Sequence, residues 1–335
     1  MPFRLPRAAW AAAVILVTVT SAAPAAHAGP SLTSISDVTR ISGADRYEVA
    51  AKISEQMPPK PGPVVFITTG ETFPDALSAG PATMSWGAHL LIVNRDRIPA
   101  SVASHLAALS PTAVMIIGGR MSVSDDVVSA IASLVPGATI RRVDGADRYE
   151  VSRNVFTELS VPRDNYDFHI ATGSNFPDAL SAGAAAGLGW NPVLLVRGNE
   201  PTIDADTLKA MNFSAARATV VGGQSSVSSG IEADLAVRVP TARAGGADRY
   251  ATSLSLIRRT FSSSDYAYVA SGANFPDALT GSVLAATKRA PLYIVPPGCV
   301  PQGVLDDFSR LGVKHVVLVG GTASLSDAVL RLQAC

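Results

Sequence analysis

One stretch of this sequence returns twice, and no other feature constrains the fold as tightly. Gly43-Ala44-Asp45-Arg46-Tyr47-Glu48-Val49 comes back as Gly145-Ala146-Asp147-Arg148-Tyr149-Glu150-Val151, and again as Gly246-Ala247-Asp248-Arg249-Tyr250-Ala251. From Gly43 to Gly145 is 102 residues, and from Gly145 to Gly246 is 101. Two further markers keep the same step: Phe-Pro-Asp-Ala-Leu at 73–77, 176–180 and 275–279, and glycine pairs at 118–119, 222–223 and 320–321. Solenoid units run to about 20–50 residues, so a period near 100 describes small domains in tandem. The expected divisions are 38–138, 139–240 and 241–335.

The chain opens differently. Arg4 and Arg7 precede the apolar run from Ala8 to Val19, and Ala26-His27-Ala28 supplies the small-x-small pattern of a signal-peptidase site. That run is shorter than the roughly 20 apolar residues of a membrane-spanning helix. Residues 1–28 therefore read as a signal peptide cut after Ala28, and residues 29–37 as a short linker. No later segment reads as a membrane span, so the mature chain is expected to be secreted.

Charge excludes one class of partner. Without Arg4 and Arg7 the 27 basic residues become 25, against 27 acidic ones. No global positive field exists to draw in nucleic acid, and a negatively charged ligand has to be caught by local groups. The two cysteines, Cys299 and Cys335, both fall in the third repeat. In an exported chain an even count reads first as a disulfide.

Within a repeat, helices and strands alternate. The first is expected to run as helix Arg46–Met57, strand Val64–Thr68, a helix from about Pro74, strand Leu90–Val93, helix Pro99–Leu109, strand Ala113–Ile117, helix Ser124–Leu134 and strand Thr139–Val143. Asp45 stands at the N-cap of the first helix with Glu48 three residues on, a variant of the capping box. The strands are continuous β-branched runs, which is how strands covered on both faces look, so the fold class is α/β with parallel sheets.

These motifs resemble the type 2 cell-wall-binding repeat of Gram-positive bacteria. Its opening occurs three times here, and Asn175–Gly183 matches its Asn-Phe-Pro-Asp-Ala-Leu-Ser-Ala-Gly centre without a change. Asn274–Gly281 departs at Thr280, and the first repeat has Thr72 in place of the asparagine. The Pro-Ile-Leu-Leu strand becomes Ala88-His89-Leu90-Leu91, Pro192-Val193-Leu194-Leu195 and Pro291-Leu292-Tyr293-Ile294, so His89 and Tyr293 put polar groups into it. The resemblance implies three Rossmann-like or Toprim-like domains in a pseudo-threefold arrangement. It also implies non-covalent attachment to an anionic cell-wall polymer, teichoic-acid-like or another secondary wall glycopolymer, with peptidoglycan a further candidate. Members often anchor a separate amidase, protease or surface-layer domain, and about ten residues here lie outside both repeats and signal.

Each motif residue carries a plain reading beside a functional one. Asp45, Asp147 and Asp248 read as helix caps, or as part of a ligand site. Arg46, Arg148 and Arg249 read either as partners of Asp75, Asp178 and Asp277 inside their own domains or as ligand-gripping guanidiniums, suited to bidentate phosphate or carboxylate. Tyr47, Tyr149 and Tyr250 read as packing residues or sugar platforms. Asn175, Asn274 and the three Phe-Pro-Asp helix starts lie at the carboxyl edge of a sheet, where α/β folds place ligands and helix amides favour an anion. No complete G-x-G-x-x-G, G-x-S-x-G or H-E-x-x-H is present, and no histidine recurs in all three repeats. Neither cofactor nor metal is expected. The leading function is a non-catalytic wall-binding protein, and the alternative is a wall-active hydrolase or a modifier of an autolysin.

Overall fold

The computed structural model describes residues 35–160, 164–211 and 215–335, so the signal-peptide reading lies outside the described residues. The first repeat runs β1 (Asp37–Ile41), α1 (Arg46–Glu55), β2 (Val64–Thr69), α2 (Ala76–Trp86), β3 (His89–Val93), α3 (Ala100–Leu109), β4 (Ala113–Ile117), α4 (Asp125–Leu134) and β5 (Thr139–Val143). The second continues through α5 (Arg148–Leu159), β6 (Tyr166–Thr172), α6 (Pro177–Ala186), β7 (Val193–Val196), α7 (Ala205–Met211), β8 (Ala215–Val221), α8 (Ser229–Ala236) and β9 (Thr241–Ala244). The third comprises α9 (Arg249–Thr260), β10 (Tyr266–Ser271), α10 (Pro276–Thr287), β11 (Leu292–Val295), α11 (Gln302–Leu311), β12 (His315–Val319) and α12 (Asp327–Leu330).

The strands form three parallel four-stranded sheets, in the orders β3-β2-β4-β5, β7-β6-β8-β9 and β11-β10-β12-β1. The central strands are buried along most of their length, as continuous apolar runs such as Val65-Phe66-Ile67 predict. Each sheet's last strand leads directly into the next repeat's opening helix. The third sheet takes that strand from the start of the chain: β1 pairs with β12 in register from Asp37↔His315 to Ile41↔Val319. Asp37, expected in a linker, is thus the first residue of a strand that closes the three repeats into a ring.

At the centre of the ring, α2, α6 and α10 pack against one another, with Gly80 of α2 facing Leu279 and Ser282 of α10 and Gly183 of α6 facing Pro81 of α2. Phe73, Phe176 and Phe275, one from each repeat, meet with ring centroids 5.9, 6.3 and 6.4 Å apart. Three nearly equal separations place them around a single pseudo-threefold axis, in tilted and edge-on geometries that aromatic quadrupoles favour. One apolar cluster runs through all three repeats, and two smaller ones fill the outer layers of the second and third.

The polar departures from the repeat pattern each bring a partner. His89 Nδ1 and His105 Nε2 both meet the buried Ser54 hydroxyl, at 2.7 and 2.8 Å. Tyr293 Oη donates to Asp307 Oδ2 at 2.7 Å, and Arg258 and Arg310 complete the pairing of that fully buried carboxylate. A buried carboxylate is tolerated where such charge and hydrogen-bond partners converge on it. Cys299 and Cys335 are joined in a disulfide that ties the C-terminus to the loop after β11.

Candidate binding seams between repeats

The capping reading of the opening aspartates holds. Asp45 Oδ1 accepts from the amides of Tyr47 and Glu48, both at 2.9 Å, and Asp147 does the same with Tyr149 and Glu150. Asp248 accepts from Ala251 at 2.8 Å. Glu48 and Glu150 return the bond one residue further out than the standard box, to the amides of Ala44 and Ala146. The third repeat has Ala251 there and lacks that return. The tyrosines pack beside the glycine that ends each first strand, and a Cβ on Gly70, Gly173 or Gly272 would meet a tyrosine Cε1 at 2.8, 2.7 and 2.7 Å. Tyr47 Oη also accepts from Asn94 Nδ2.

The arginines do not pair with the carboxylate of their own repeat. Arg46, Arg148 and Arg249 each donate Nη1 to the carbonyl of that same glycine, Gly70, Gly173 and Gly272, at 2.7, 2.6 and 2.7 Å. Among the described residues they make no other hydrogen bond, so most of each five-donor fork stays unused. Their electrostatic neighbours lie across the boundary between repeats. Arg249 acts on Asp178 of the second repeat, and Arg46 acts on Asp277 of the third. Arg148 reaches the first repeat through the ring of Phe73. The structure thus sets each opening motif against the preceding repeat's Phe-Pro-Asp edge, at three seams. At the seam where the third repeat meets the first, Arg46 and Asp45 line a cleft of about 190 Å³ with Asn274, Asp277 and Ser324. Asn175 occupies the corresponding exposed position in the second repeat.

Asp75, Asp178 and Asp277 brace the glycine-pair loops rather than cap helices. Asp75 accepts from Ser122 Oγ, and Ser226 and Ser324 serve Asp178 and Asp277. In each case the serine stands four residues after the first glycine of the pair. That glycine has a positive φ, +109°, +113° and +118° at Gly118, Gly222 and Gly320, and presses against the aspartate. Burial pushes the Asp178 and Asp277 carboxyls upward from the ordinary aspartate value, while the serine hydroxyls and then Arg249 and Arg46 pull them back. Since each aspartate bonds away from its helix, α2, α6 and α10 have no side-chain cap.

A second set of arginines escaped the sequence reading. Arg40 Nη1 donates to the carbonyls of Gly320 and Leu325, both at 2.9 Å. Arg142 takes Gly118 and Val123 at 2.7 and 2.9 Å, and Arg243 takes Gly222 and Val227, both at 2.9 Å. Each stands three residues before a motif glycine, on the last strand of a sheet, and staples the glycine-pair loop of that same sheet. The detectable signal was an arginine three positions upstream of every Gly-Ala-Asp-Arg-Tyr. Of the serines that follow these loops, Ser124 and Ser228 cap the next helix, whereas Ser326 Oγ is buried with no partner among the described residues.

The sequence matches the family described as cell wall binding domain 2 (CWB2) three times, at residues 40–128, 142–232 and 243–330. It is 27% identical over 301 residues to the N-acetylmuramoyl-L-alanine amidase LytC of Bacillus subtilis (strain 168), a match covering 90% of this chain and 58% of that protein. It is 26% identical over 291 residues to the amidase enhancer of the same strain, covering 87% of this chain and 39% of the enhancer. The chain thus spans less than two thirds of the length of either relative. Among solved structures, Cwp6 from Clostridium difficile superposes with a TM-score of 0.81 at 28% identity, over 89% of this chain and 48% of that one. Cwp8 from the same organism has the same fold, with a TM-score of 0.78 at 22% identity over 88% and 51%.

Proposed function

Since this chain belongs to the cell wall binding domain 2 family, we propose that it is a secreted, non-catalytic protein that holds an anionic cell-wall polymer at the three seams between its repeats. The observation that carries this reading is the threefold recurrence of one arrangement. A guanidinium with unused donors stands beside a preceding repeat whose Phe-Pro-Asp helix start has no side-chain cap. Guanidinium forks and helix N-termini both favour phosphate or carboxylate. The buried aspartate opposes an anion by its charge, but its lone pairs are turned toward the serine and the glycine-pair loop. Its part is to shape the edge, together with the arginine staple behind it.

A repeating polymer can occupy more than one seam of the same molecule. Joint occupancy of tethered sites raises apparent affinity by roughly 100- to 10,000-fold where geometry permits it. The same surface carries no requirement for a reaction, and the amidase named among the relatives extends well beyond the length shared with this chain. The test is Arg→Ala at one, two and then all three of Arg46, Arg148 and Arg249, with folding checked by thermal unfolding. Loss of one seam is expected to weaken attachment to whole walls much more than binding of a short polymer fragment. A folded triple variant that binds walls as the parent does would contradict the reading.

A further inference from the structure

On the opposite edge of the sheets from these seams, a cavity of about 520 Å³ opens where the second repeat meets the third. It lies at the starts of β6, β8 and β9, with the last turn of α9 as one wall. Its size falls within the range of about 300–1,000 Å³ usual for small-molecule sites. Arg217 and Arg259 line it, and among the described residues neither guanidinium has a carboxylate or hydrogen-bond partner. The buried His169 lines it as well, with Nδ1 meeting the Asp167 carbonyl at 3.1 Å and no hydrogen-bond partner on Nε2 among the described residues. The Asp167 carboxylate accepts from Thr219 Oγ1 at 3.2 Å and keeps further lone pairs.

The corresponding places in the other two boundaries are filled. Four residues before the strand-ending glycine, the first repeat has Phe66 and the third Tyr268, where the second has His169. Phe66 packs edge-on against Trp86, whose Nε1 reaches the Leu159 carbonyl of the next repeat. Arg141 on β5 pairs with Glu158 on α5 across that boundary. The same two positions at the second boundary are Ala242 and Arg259, which removes one partner and reverses the charge of the other. At the third boundary Tyr266 stacks on His315, which pairs with Asp37. The open space and the two cations thus arise where this boundary departs from the other two.

We propose that this cavity binds a compact polyhydroxylated molecule bearing one acidic group, a sugar acid or a sugar phosphate. Arg217 and Arg259 take the acid, while Asp167, His169 Nε2 and Thr219 meet hydroxyls. Two guanidiniums against one carboxylate favour an anion, and the acceptor on Asp167 favours a ligand that also donates. The site lies apart from the polymer seams, and its test uses soluble ligands, so the outcome does not depend on wall attachment. Isothermal titration of the full chain at low ionic strength with glucose, glucuronate and glucose 6-phosphate reads it directly. At least one acidic sugar is expected to bind about tenfold or more tightly than glucose, as charge-assisted contacts to guanidinium allow, and the preferred acid identifies the group. Replacing both exposed arginines, R217A with R259A, removes that preference. So does A242R with R259E, which recreates the Arg141–Glu158 pair in this boundary. The proposal is overturned if neither acid exceeds glucose, or if the R217A/R259A protein keeps the parent's preference.

Discussion

The guanidinium of Arg148 lies over the ring of Phe73, 5.5 Å from its centroid, so the second repeat touches the molecular axis through a side chain of the first. Arg249 makes the same contact with Phe176 at 5.6 Å. Cation–π contacts at such distances contribute about 0.5–1 kcal/mol where solvent is present. Their larger consequence is geometric. Each arginine is held between a carbonyl of its own repeat and a ring of the preceding one, which fixes its unused donors at the boundary.

The glycine-pair loops depend on backbone that other residues resist. Gly222 has φ +113°, and a Cβ there would lie 2.4 Å from Asp178 Oδ2. Gly222→Ala is expected to cost about 1–3 kcal/mol through strain and displacement of the aspartate. Gly223→Ala is its control, since the nearest atom to a Cβ there is 3.8 Å away. Denaturant unfolding of both variants checks this, and equal losses would contradict it.

Burial raises the carboxyl of Asp178 in the folded chain. The unfolded value lies near about 3.9, so the folded state holds this proton to higher pH than the unfolded state does. That contribution to stability is fully present below the unfolded value and is lost as pH rises through the folded one. Asp178→Asn is neutral throughout and keeps an oxygen for Ser226. Its stability relative to the parent should therefore improve from about pH 4 to about pH 7, measured by unfolding at each pH. A difference that stays constant would show that the carboxyl is not held protonated.

Ring closure makes a prediction that the order of the repeats would not. Arg40 lies near the start of the described chain, yet its bonds to Gly320 and Leu325 belong to the third repeat. Arg40→Ala leaves those carbonyls without their charged donor, at an expected cost of about 1–3 kcal/mol. Hydrogen exchange should quicken in β12 and the loop after it. Faster exchange confined to β2 and β4 of the first repeat would contradict the closure.

Much of this was legible in the sequence because identical motifs at a fixed step leave few alternatives. The parallel α/β units, the caps at Asp45, Asp147 and Asp248, and the bonding of Cys299 to Cys335 follow from local patterns. What failed to show was long-range. Strand Asp37–Ile41 has a partner 278 residues further on, at His315, and nothing in its five residues says so. Arg46 and Asp277 come together only once the ring is closed, so the sequence left open whether each arginine meets its own repeat's aspartate or a ligand. Nothing near Asp75 announces its partner either, since Ser122 lies 47 residues away. The pocket beside Arg217 and Arg259 is invisible to motif reading, since it arises where the repeats differ.

Sedimentation with purified walls tests the central claim most directly. The protein lacking residues 1–28 is incubated with intact walls and with walls stripped of their anionic secondary polymers by acid, and the bound fraction is measured across a salt series. The account predicts binding to intact walls that is largely lost on stripped ones. It also predicts a modest salt dependence, because only a few guanidiniums would meet the polymer at each seam. Equal binding to intact and stripped walls would contradict it.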